Sequence, residues 1–79
     1  MKYVYMLQSE TQPDRHNVGC TLDLKKRVAE HNAGQSTHTK KFFPWKLLGY
    51  IALADHNKAD KLEAYLKTAS GRTFAKRHF

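Results

Sequence analysis

Cysteine is all but missing from this chain of 79 residues, with Cys20 standing alone. No intrachain disulfide can form, and no cysteine-based zinc site can be assembled. Acidic side chains are scarce as well, 7 Asp and Glu against 14 Lys and Arg, for a formal net charge of +7. Such a field favours polyanions, because each neutralised phosphate releases condensed counterions. Long hydrophobic runs are also lacking. Residues 1–7 are mostly apolar, but Gln8, Ser9 and Glu10 follow at once. That stretch is too short for a signal sequence, and nothing approaches the roughly 20 apolar residues that span a bilayer. The expectation is a cytoplasmic protein with no membrane contact.

What is present fits a single domain over residues 1–79. A chain of this size has a stability margin on the order of 3–5 kcal/mol, which disfavours a large enclosed pocket. An open groove or face is the more natural place for a site.

Residues 3–7 are rich in β-formers and predict a strand. Pro13 and Asp14 centre a turn, and residues 16–20 resume an extended pattern, so the first two strands pair as a hairpin. Thr21 or Asp23 then opens a helix whose stripe is Leu24, Val28 and His31, with Lys25, Lys26 and Glu30 facing away; Asn32-Ala33-Gly34 ends it. Residues 35–44 read as a polar, basic loop and residues 45–53 as a third strand. Asp55 or Asn57 caps a second helix with the stripe Ala59, Leu62, Leu66 and Ala69. Ser70-Gly71 breaks that helix and caps a short final one over residues 72–79. The order β-β-α-β-α-α predicts an α+β domain: a three-stranded, mainly antiparallel sheet flanked by helices.

On these elements five polar side chains are candidates for chemistry: Tyr5 on the first strand, Asn17 on the second, Arg27 and His31 on the first helix, and Glu63 on the second. Arg27 and His31 are i, i+4 neighbours bordering the apolar stripe, and Glu63 flanks the Leu62/Leu66 stripe. Taken singly, each has a plain structural reading. Arg27 serves as a solvated helix charge, His31 as a cation at a helix C-terminus, and Glu63 as a surface carboxylate paired with Lys67. Tyr3 and Tyr5 read most simply as strand aromatics, one ring inward and the other outward.

Read in order, the residues carry a resemblance. Tyr3-Val4-Tyr5 is followed by Asn17-Val18-Gly19, then Asp23-Leu24-Lys25-Lys26-Arg27 and Glu30-His31-Asn32-Ala33-Gly34. Pro44-Trp45-Lys46-Leu47, Glu63-Ala64-Tyr65-Leu66-Lys67 and Ser70-Gly71-Arg72 complete the series. This series resembles the GIY-YIG endonuclease family, in particular its small stand-alone bacterial members, over nearly the whole chain. The resemblance implies metal-assisted hydrolysis of a phosphodiester in DNA. Glu63 stands where the family holds a single divalent cation, magnesium or manganese. Arg27 matches the arginine that binds charge growing on the phosphate, and Tyr5 the tyrosine beside the scissile group or attacking water. Gly19 matches the glycine closing the second tripeptide, and His31 a histidine used in proton handling or phosphate contact.

Two departures accompany the match. Asn17 replaces the tyrosine that begins the second tripeptide, and an amide accepts no proton at neutral pH, though it can orient water or donate to phosphate. His16 lies on the other strand face and cannot substitute without a bulge. Many relatives also carry a late asparagine after the metal glutamate, which has no counterpart among residues 68–79. Two readings follow: a metal-dependent DNA endonuclease weakened by the missing tyrosine, or an inactive nucleic-acid binding module of the same fold. The binding surface is expected at Thr37-His38-Thr39-Lys40-Lys41-Phe42-Phe43, through Lys40 and Lys41, and at a second cluster with Arg72, Lys76 and Arg77. Phe42, Phe43 and Trp45 serve equally well as core. Nothing in these segments reads base edges, so DNA binding without sequence specificity is expected. Larger relatives attach a targeting domain, for which this chain leaves no room. A protein partner for targeting, and a monomer or weak oligomer, are therefore expected.

Overall fold

A computed structural model of the chain describes residues 1–34 and 40–79. Its elements are β1 (Lys2–Ser9), β2 (His16–Thr21), α1 (Leu24–Asn32), a short 3-10 turn (Lys40–Phe42), β3 (Trp45–Leu53), α2 (His56–Leu66) and α3 (Ala69–His78). The strands form one antiparallel sheet in the order β2-β1-β3. β1 is the central strand, which explains why Val4, Tyr5, Met6 and Leu7 are buried in succession: both faces of this strand are covered.

The two faces have separate cores. Tyr5, Leu7 and Trp45 pack with Leu24, Val28 and Phe42 beneath α1. Val4 and Met6 pack with Ala59, Leu66 and Ala75 beneath α2 and α3. The Met6/Leu7 irregularity in the β1–β3 register keeps both sets aligned, since one extra residue of β3 is absorbed there. Tyr3 and Tyr5 are two residues apart and share a face, against the expectation of one ring in and one out. Tyr5 is buried, and Tyr3 packs edge-on against Tyr50 of β3 at 5.8 Å.

The caps decide between the alternatives left by the sequence. The Asp23 side chain accepts the Lys26 N–H, and that of Asp55 accepts the Lys58 N–H. Gly34, with φ of 73°, takes the left-handed conformation that ends α1. The last helix departs from expectation. Its cap is Thr68, whose hydroxyl accepts the Gly71 N–H, so Ser70 and Gly71 lie inside α3 and Ala69 is an exposed residue of its first turn. Gly71 is there because α3 crosses α2 at backbone contact: a Cβ at this position would lie 1.8 Å from the Tyr65 carbonyl oxygen.

Candidate active site

Pairing across the β1–β2 ladder assembles one part of the site. Tyr5 stands opposite Gly19, and Leu7 opposite Asn17, so Tyr5, Asn17 and Gly19 share the α1 face of the sheet. The Tyr5 hydroxyl fills the space that a side chain at position 19 would need: a Cβ there would lie 2.2 Å from Oη. His16 pairs with Gln8 on the opposite face, and no bulge interrupts the β1–β2 register to turn it around.

α1 brings the second part. Asn32 at its end holds the Trp45 backbone at both polar groups: the side-chain amide donates to the Trp45 carbonyl, and its carbonyl oxygen accepts the Trp45 N–H. The helix is thereby fixed to the first residue of β3. His31 is 1% exposed and its Nε2 lies 3.0 Å from Tyr5 Oη. Burial lowers the His31 pKa from its ordinary 6.5, and the nearby Arg27 charge adds to this while Glu30 opposes it. Burial likewise raises the Tyr5 phenol; Arg27 works against that rise and Glu63 with it. At neutral pH the pair is thus an uncharged phenol and an uncharged imidazole. With the ring proton on Nδ1, Oη–H donates to Nε2.

Arg27 is half-buried and stands 3.7 Å from Glu30, a loose pairing that leaves guanidinium donors available. Glu63 approaches from the other layer, on α2, with Lys67 Nζ at 3.3 Å. α2 packs against both β1 and β2, so Glu63 approaches these strands from the side opposite α1. Tyr5 and His31 are closed to solvent, whereas Asn17, Arg27 and Glu63 are only half-buried. The structure thus places all five candidates about β1 and β2, two as a buried pair and three nearer the surface.

The basic residues are not joined in this way. Lys40 and Lys41 are exposed on the 3-10 turn, whose Phe42 belongs to the α1-side core. Arg72 and Lys76 are exposed on α3, in the opposite layer. Of the expected aromatics, Trp45 is buried, Phe42 half-buried and Phe43 exposed. Thr37, His38 and Thr39 lie outside the described residues. Asn32, whose partner is 13 residues further on, was legible in the sequence only as part of a helix stop.

Among the described residues no three His, Cys, Asp or Glu side chains cluster as metal ligands. The Glu63 side chain is 27% exposed beside Lys67, so its carboxylate can offer oxygen to a divalent cation whose other donors are water and substrate phosphate. Among the described residues, no helix is long and apolar enough to cross a membrane.

A three-stranded antiparallel sheet thus lies between one helix and two in a small α+β domain, with Tyr5, His31 and Arg27 on its α1 face and Glu63 on α2. The family model of the GIY-YIG catalytic domain matches residues 1–77, and the chain belongs to that family. It is also similar to the structure-specific endonuclease subunit SLX1 of Scheffersomyces stipitis, with 41% identity over 51 residues, 57% of this chain. The match spans 15% of that relative's length.

Proposed function

We propose that this domain is a DNA endonuclease that hydrolyses phosphodiester bonds with one divalent cation, magnesium or manganese, held by Glu63. The observation that carries the reading is the Tyr5–His31 bond, seated where Gly19 makes room for the phenol and flanked by Arg27 and Glu63. When bound, the cation would polarise the phosphate and stabilise the leaving oxygen. Arg27 offers a planar fork of donors to a non-bridging phosphate oxygen. Asn17 orients water or donates to the phosphate. Asn17 accepts no proton at neutral pH, so deprotonation of the attacking water is the step expected to be slow.

Lys40, Lys41, Arg72 and Lys76 hold the DNA backbone without reading its sequence. The likeness to a protein named a structure-specific endonuclease subunit points to branched DNA, and to a partner chain that supplies targeting. The cytoplasm is the expected compartment.

The test is cleavage of branched, flapped and plasmid DNA with magnesium or manganese. Glu63→Ala is expected to reduce cleavage to background. Asn17→Tyr, by restoring a general base, is expected to raise the rate by about 100- to 10,000-fold. Identical background cleavage by the wild type and Glu63→Ala removes the enzyme reading. A second reading, a binding module without catalysis, is favoured by Asn17 itself; it predicts DNA binding with no cleavage by either the wild type or Asn17→Tyr.

A further inference from the structure

A concavity lies on the sheet face opposite α1, between the start of β2 and the corner where α2 meets α3. It encloses about 850 Å³, within the range of roughly 300–1,000 Å³ of ordinary ligand clefts. Val18 and Leu48 from the sheet, Leu66 from α2 and Phe79 from the chain end give it an apolar lining. Lys67, Arg72 and Lys76 also line it, and Asp14 is the one acidic side chain among the described lining residues. Arg15 lines it too, but its guanidinium is engaged over the Phe42 ring at 5.0 Å. Lys67, whose ammonium pairs with Glu63, ties the cleft to the candidate active site.

We propose that this cleft seats the unpaired strand of a branched DNA, leading it past Lys67 to Glu63. The inference rests on the nuclease reading and deepens it by naming the part of the substrate that each layer of the fold takes. A duplex keeps its base faces stacked inside and offers only backbone and groove edges, which would leave an apolar cleft unfilled. An unpaired strand offers both halves of the match: phosphates for Lys67, Arg72 and Lys76, and base faces for the apolar lining, with Phe79 as the aromatic among them. Phe79 is held in place, its N–H donating to the Ala75 carbonyl and its ring lying against Gly49, so it is a preset surface.

The experiment is binding without cleavage. A fluorescent hairpin duplex with a single-stranded tail is compared with the same hairpin blunt-ended, in EDTA, by anisotropy titration at fixed salt. The tailed DNA is expected to bind at least about 10-fold more tightly, from phosphate contacts and base stacking together. Arg72→Glu/Lys76→Glu is expected to bring the tailed-to-blunt ratio close to 1. Lys58→Glu/Lys61→Glu, the same charge change on exposed residues of α2 outside the cleft, is expected to leave that ratio unaltered. If circular dichroism shows that the double reversal does not fold, Lys76→Gln alone is expected to lower the ratio by half or more. Equal affinity of the wild type for both DNAs overturns the proposal, as does an equal loss on both in the cleft variants. Failure of the nuclease reading shows instead as absent magnesium-dependent cleavage, which this ratio does not measure.

Discussion

At the scale of single residues, the Tyr5–His31 pair and the glycine beside it govern what the site tolerates. Gly19→Ala places a methyl group 2.2 Å from Tyr5 Oη and 2.4 Å from Cζ. The ring is buried and bonded to His31, so it cannot swing clear without breaking that bond. Overpacking of this kind costs about 1–3 kcal/mol, and the midpoint of urea unfolding is expected to fall accordingly. Cleavage should fall with it, since the phenol is displaced. His31 makes a separate prediction through its lowered pKa. The unfolded chain binds the imidazole proton more readily than the folded one does, so stability is full above the unfolded value of 6.5 and is lost as pH falls below it. Melting temperature should therefore drop between pH 7.5 and pH 5 in the wild type, and drop less in His31→Gln. The Tyr5 phenol acts at the other end of the scale, where its raised pKa means that stability is lost as pH climbs above 10.0.

Among the elements, the joint between α2 and α3 is the most sharply determined. Thr68→Ala removes the hydroxyl that accepts the Gly71 N–H, a loss of about 1 kcal/mol for a helix cap. Gly71→Ala is expected to cost more, because its Cβ would meet the Tyr65 carbonyl oxygen at 1.8 Å and the neighbour is backbone rather than a flexible side chain. Chemical denaturation of the two variants should rank them in that order, and the reverse order would mean that the helices can separate freely. This joint also shows where sequence reading stops. The strands, the first two helices and the Leu24/Val28/His31 stripe are legible because periodicity and capping are local. Ser70-Gly71 reads locally as a breaker, yet here the glycine serves a contact with the preceding helix that no local pattern announces. The Asn32–Trp45 clamp is hidden for the same reason. Tyr5, Arg27, His31 and Glu63 could be named from their order along the chain. That Tyr5 and His31 form a buried pair, while Arg72 and Lys76 stand on the layer opposite Lys40 and Lys41, depends on the sheet between them.

For the molecule as a whole, the charge of +7 is spread over both layers of a thin body, 31 × 26 × 18 Å along its principal axes. If Lys40, Lys41, Arg72 and Lys76 each neutralise one phosphate, log K should fall linearly with log salt concentration. The expected slope lies between about −2.8 for single-stranded contacts and −3.6 for duplex contacts. Raising salt from about 50 to 200 mM would then weaken binding by roughly 50- to 150-fold. Lys40→Gln/Lys41→Gln should reduce the steepness by about half, because two of the four phosphate contacts are lost while the α3 pair remains. Titrations at four or five salt concentrations in EDTA measure both slopes directly. A shallow line for the wild type, with slope near zero, would mean that the positive charge is incidental and that the domain's partner is not a polyanion. A steep line unchanged by the two lysine substitutions would move the duplex contact away from the 3-10 turn and onto other cations of the chain.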